Sequence, residues 1–182
     1  MTLRKITCIN LESLKDKGND KMDILMNCYK EIERLEKLNF VNFKSNCEEL
    51  FKISSLFKFM KNLKFLNVSR LGSNSQKDYF FKFLVNINFL INLKYLSLNQ
   101  CFIDKEAIFY MIYALKNLLS LKVLLLKGNL INDLDVPHLI KCFDFLYNLN
   151  ELDLSKNKIT NYGIDIIDQN KHKLKKLNKL LF

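Results

Sequence analysis

The chain repeats itself at a nearly constant interval. Lines beginning at Leu93, Leu121 and Leu149 read LKYLSLNQCFI, LKVLLLKGNLI and LNELDLSKNKI, and each line is 28 residues long. Each carries apolar residues at its first, fourth and sixth positions, Cys or Asn at the ninth and Ile at the eleventh. Earlier lines begin at Ile6, Leu35 and Leu63 and run for 29, 28 and 30 residues. A truncated seventh begins at Leu177. Six units therefore tile residues 6–176. A unit this short cannot bury its own apolar face, so the units must stack on one another.

Within a unit the period changes. The first part alternates: Leu96 with Leu98, Leu124 with Leu126, and Leu152 with Leu154 point to one side of a short strand. The second part follows helical spacing, as in Ile108, Met111, Ile112, Leu115 and Leu118, and again in Leu139, Ile140, Phe143 and Leu146. Helix starts carry local signals. Ser45 with Glu48 and Ser75 with Asp78 fit capping boxes. Asp135 precedes Pro137, which suits an early helical position, and Thr160 suits an N-cap. One strand and one helix per unit predict an α/β fold with a parallel inner sheet and outer helices, about six repeats long. One proline and four glycines leave little room for linkers, so residues 1–182 read as one domain.

The pattern LxxLxLxxN/CxI resembles the leucine-rich repeats of the ribonuclease-inhibitor type, shared with Ran GTPase-activating proteins and tropomodulin. The resemblance covers nearly the whole chain and implies a leucine-rich-repeat solenoid. It also implies that Cys101, Asn129 and Asn157, at the ninth position, form a hydrogen-bonded ladder along the turns. The first three units depart from it, with Leu14, Phe43 and Leu71 at that position.

No catalytic constellation accompanies the repeat. Gly18, Gly72, Gly128 and Gly163 stand alone and begin no phosphate-binding loop. His138 and His172 have no second ligand at metal spacing. Glu151 and Asp153 share one strand face, which suits a solvated acidic patch better than acid–base work. Among the cysteines, Cys101 and Cys142 fall at repeat positions. The expectation is a chain that is not an enzyme and takes no cofactor or metal. A Ran-type GTPase-activating role fits poorly, because the arginines are only Arg4, Arg34 and Arg70 and the tail is basic.

Five cysteines, an odd number without CxxC, predict a reducing, intracellular setting, cytoplasmic or nuclear. The apolar stretch Ala107–Leu126 is broken by Lys116 and Lys122, so no transmembrane segment is expected. The net charge is +10, spread along the chain except for the ending KHKLKKLNKLLF. Lys171, Lys173, Lys175, Lys176 and Lys179 could contact phosphate, which makes a ribonucleoprotein or organellar subunit the first alternative.

The remaining reading is protein–protein interaction, as an adaptor, regulator or subunit. The third, fifth and seventh residues of each unit face the concave side. There Phe65, Tyr95, Val123 and Leu125 make an apolar centre, rimmed by Lys127, Glu151 and Asp153. A weaker second surface is the outer helix, where Phe109, Tyr110 and Tyr113 remain after the core is filled.

Overall fold

The computed structural model describes residues 8–10, 32–41, 47–70 and 77–182. These contain seven strands of three residues: β1 (Cys8–Asn10), β2 (Lys37–Asn39), β3 (Phe65–Asn67), β4 (Tyr95–Ser97), β5 (Val123–Leu125), β6 (Glu151–Asp153) and β7 (Lys179–Leu181). All pair in parallel and in chain order, giving one open sheet. The sequence units number six, and the partial unit from Leu177 supplies the seventh strand.

The register follows the repeat. Phe65, Tyr95, Val123, Glu151 and Lys179 are successive partners, as are Leu66, Leu96, Leu124, Leu152 and Leu180. Equal repeat positions therefore stack as neighbours. The ladder runs one residue past each strand: the N–H of Phe40, Val68, Leu98, Leu126 and Leu154 each donates to the next strand's last carbonyl at 2.8 or 2.9 Å.

Helices cross between the strands: α1 (Cys47–Ser54), α2 (Lys77–Asn86), α3 (Lys105–Leu115), α4 (Val136–Ile140) and α5 (Asn161–Asn170). The core lies between them and the sheet. Leu38, Leu66, Leu96, Leu124 and Leu152 are buried on the sheet side, as are Leu98, Leu126 and Leu154 two residues further on. Ile108, Met111, Leu115, Leu118, Leu139, Ile140, Phe143 and Leu146 are buried opposite them. Ile112 is only half buried and packs at the margin of this core. Phe57 and Phe83 meet edge to face at 5.9 Å. Truncating any of these leucines to alanine removes buried surface and leaves a cavity, a loss of ~2–5 kcal/mol.

Helix caps partly follow the sequence signals. Thr160 Oγ1 accepts from the Tyr162 N–H at 3.3 Å. Asp135 stands before α4, but its carboxylate accepts from the Asn132 N–H at 3.0 Å and leaves the helix without a side-chain cap. The cap of α3 is Asp104, whose carboxylate accepts from the Ala107 N–H at 3.1 Å. The capping boxes at Ser45 and Ser75 fall outside the described residues.

A second set of asparagines closes the corner before β3, β4 and β6. Asn62, Asn92 and Asn148 directly precede the unit starts Leu63, Leu93 and Leu149. Their side-chain amides donate to the carbonyls of Glu33, Lys61 and Leu119, each in the preceding unit, at 2.7, 2.8 and 2.8 Å. At these three corners the amides pair backbone carbonyls that would otherwise lack partners.

Candidate interaction surface on the sheet face

The sheet's outward face carries the third and fifth residues of each unit. Phe65, Tyr95, Val123 and Leu125 are all half-buried there. The Phe65 and Tyr95 rings stack with centroids 4.3 Å apart and planes 11° from parallel. Burial, together with the nearby Glu151 carboxylate, pushes the Tyr95 phenol above its usual range, so the ring faces the surface as a neutral group.

The rim at β6 is acidic but occupied. Glu151 pairs with Lys179 on the next strand at 2.7 Å. Asp153 is buried and accepts from the Ser155 N–H at 2.9 Å. Towards the turns the face becomes basic. A cleft of about 430 Å³ is lined by Asn67, Tyr95, Asn99 and Lys127, with Arg70, Gln100 and Lys156 on its rim.

The turns beside this cleft are held by the ninth-position residues. Asn129 accepts from the Cys101 and Ile103 N–H groups at 2.9 and 3.1 Å, and donates to the Leu98 and Leu126 carbonyls at 3.0 and 2.7 Å. Asn157 repeats the pattern one unit on, donating to Leu126 and Leu154 at 2.9 and 2.7 Å. Cys101 replaces the amide with a thiol that donates to the Val68 carbonyl at 2.8 Å. Every polar atom of Asn129 is therefore used, which fits its near-complete burial. The ninth positions of the first three units, Leu14, Phe43 and Leu71, fall outside the described residues.

One residue earlier, Arg70, Gln100, Gly128 and Lys156 all adopt left-handed backbone, with φ of 61°, 56°, 70° and 56°. They occupy the eighth position of four consecutive units. The sequence reading missed this row. Gly128 was its visible signal, but three of the four positions carry other residues.

On the helical side Phe109, Tyr110 and Tyr113 are exposed. Tyr110 stacks on Phe81 with centroids 4.5 Å apart, and Phe109 leans on His138 at 4.8 Å. Phe109 and Tyr110 thus each rest one ring contact on a neighbouring helix while staying exposed, as Tyr113 does. The basic ending is also partly spent. Lys171 pairs with Asp168, Lys173 with Asp144 and Lys179 with Glu151, while Lys176 donates to Asn148.

Among the described residues no group of three or more His, Cys, Asp or Glu side chains could hold a metal ion. None of their helices is long and apolar enough to cross a membrane. Cys142 is fully buried, and burial, with Asp144 nearby, pushes its thiol up to about 12.

Fold and surface together define a class: a repeating strand–helix chain whose one open parallel sheet offers a broad outward face. Solved structures of that class resemble it. One is titled leiomodin-1 actin-binding site 2, with a TM-score of 0.60 and 15% identity over 75% of this chain and 79% of that one. Another is the tropomodulin C-terminal domain of Caenorhabditis elegans, with a TM-score of 0.61 and 13% identity over 76% of this chain and 83% of that one. At such identity the likeness is one of fold. No family model and no curated protein matches the sequence. These neighbours correct the sequence-based assignment to the ribonuclease-inhibitor type, since the matching domains are of the tropomodulin and leiomodin kind. The physical reason is that LxxLxLxxN specifies a strand and the turn after it. It does not specify the domain in which those turns are stacked.

Proposed function

We propose that this chain is a non-catalytic protein-binding module whose partner docks on the sheet face, centred on Phe65 and Tyr95. The observation that carries this is the stacked aromatic pair, continued by Val123 and Leu125, half-exposed inside a polar rim. Large rigid aromatics in the middle of a broad surface are the usual anchors of protein interfaces. The leiomodin-1 neighbour, named for an actin-binding site, supports a protein partner and makes purified actin the first defined candidate. We read residues 1–182 as one leucine-rich-repeat solenoid, supported by the chain-order sheet and the matched register. The adaptor, regulator or fixed-subunit role follows from the same face. The acid-paired lysines of the ending favour this reading over one based on nucleic acid.

The test is affinity capture with the tagged chain and with Tyr95→Ala/Val123→Asp, both residues lying on the surface. Loss of a stoichiometric partner in the variant, with an unchanged circular dichroism spectrum, supports the proposal. Capture that is unchanged in the variant overturns it.

A further inference from the structure

We propose that the cleft beside Tyr95 binds an extended, acidic segment of the partner protein, its carboxylates held by Arg70, Lys127 and Lys156. This rests on the sheet-face reading and says what chemistry that face selects.

The cleft's lining is rich in donors. Among the described residues none of the three cations has a carboxylate partner; Arg70 Nε donates only to the neutral Gln100 Oε1, at 3.1 Å. The amides add to this. Asn99 Oδ1 already accepts from the Lys127 N–H at 2.8 Å, and Asn67 Oδ1 from Ser69 Oγ at 2.6 Å. The oxygens of Asn67, Asn99 and Gln100, which line the cleft, are thus engaged, and their amino groups have no acceptor among the described residues. Cations and amide donors together call for a ligand of acceptors. Carboxylates and peptide carbonyls supply them.

Geometry adds direction. The left-handed turns place Arg70, Gln100 and Lys156 along one rim, at the same position of their units. Gly128 adds no side chain to this row, and the Gln100 side chain fills the space beside it, where a Cβ would come within 2.9 Å of Gln100 Cγ. A strand laid along that row passes cation, amide and cation in turn, while Tyr95 offers an apolar contact. A nucleic-acid backbone fits less well. Its phosphates repeat without interruption, whereas Gln100 and Gly128 interrupt the cations of this row. The nearest acids do not quench the cleft, because Glu151 is taken by Lys179 and Asp153 by the Ser155 N–H.

A random dodecapeptide display library selected against the full chain tests this. Fluorescence anisotropy then measures the best selected peptide and single-stranded oligouridylate on the native chain, on Lys127→Gln/Lys156→Gln and on Tyr95→Ala. The expected result is enrichment of Asp and Glu, binding that weakens with salt, and a loss of about tenfold in the lysine double variant. Selected peptides without acidic enrichment overturn the proposal, as does affinity unchanged in the lysine variant or oligouridylate binding tighter than any peptide. The two readings separate cleanly. If non-acidic peptides bind and Tyr95→Ala abolishes them, the sheet face stands and the acidic cleft falls. If Tyr95→Ala changes neither peptide binding nor partner capture, the sheet-face reading itself falls.

Discussion

Phe65 and Tyr95, thirty positions apart, stack as neighbours because the parallel register pairs them directly across β3 and β4. Their contact stabilises the fold modestly, since both rings keep one side in solvent. A double-mutant cycle of Phe65→Ala and Tyr95→Ala in urea is expected to give a coupling of about 0.5–1.5 kcal/mol. Coupling indistinguishable from zero would mean the rings merely coexist, and the preformed anchor would be lost with it.

The adjacency of this pair was legible in the sequence, because a period near 28 residues and a parallel sheet put equal positions side by side. The buried leucine rows were legible for the same reason. The cleft was not. Arg70, Gln100 and Lys156 share no side-chain type, and only the backbone shows that each adopts the left-handed conformation at the same position of its turn. The corner asparagines Asn62, Asn92 and Asn148 were missed because their partners are backbone carbonyls, which carry no residue signature. The exposed rings of Phe109 and Tyr110 were read correctly as left over from the core. Their ring contacts with His138 and Phe81 depend on helix spacing, which periodicity does not supply.

Asn129 is expected to be among the least replaceable polar residues. Asn129→Ala orphans two N–H groups and the Leu98 carbonyl in a buried turn, while the Leu126 carbonyl keeps Asn157, and a loss of about 3 kcal/mol is expected. Asn129→Asp keeps an acceptor for Cys101 and Ile103 but sets a charge against the Leu98 and Leu126 carbonyls, so it is expected to be worse still. Urea denaturation of both variants checks the order. An aspartate variant as stable as the wild type would show that the donated bonds contribute little.

Cys142 is expected to resist alkylation in the folded state. Its thiol, held up to about 12 by burial, is almost wholly protonated at pH 8, and no reagent reaches it. Cys8 is exposed and is expected to react readily. Peptide mapping after iodoacetamide, with and without guanidinium, reads this out. Modification of Cys142 at the same rate in both conditions would contradict the packing around α4.

Gly163 gives a prediction opposite to the usual one. Glycine inside a helix normally costs about 1 kcal/mol against alanine. A Cβ here, however, would lie 2.7 Å from Ile159 Cγ2 and press on the Asp133 carboxylate. That carboxylate accepts from the Thr160 N–H and Oγ1 at 2.8 and 2.6 Å, fastening one turn to the next. Gly163→Ala is therefore expected to lower the melting temperature, and Gly163→Ala/Asp133→Ala to lower it by less than the sum of the single changes. A melting temperature raised by Gly163→Ala would show that Asp133 and Ile159 give way freely.

The pairing of Lys77 with Asp104, at 2.6 Å, ties the start of α2 to the N-cap of α3 and sets a pH dependence. Burial works to raise the Asp104 carboxyl, but the Lys77 ammonium and the Ala107 N–H outweigh it and hold it below its usual range. A carboxyl depressed on folding stabilises the protein above its unfolded pKa of about 3.9, and that contribution disappears as pH falls through the lower folded value. Hydrogen bonding and attraction to Asp104 raise Lys77 in turn. Its contribution is complete below the unfolded pKa of about 10.4 and is lost as pH rises through the higher folded value. The stability difference between wild type and Asp104→Asn is thus expected to be flat from about pH 5 to pH 9 and to shrink at both extremes. Urea midpoints measured across that range give the profile, and a difference that stays constant below pH 3 would exclude the charge pair as its source.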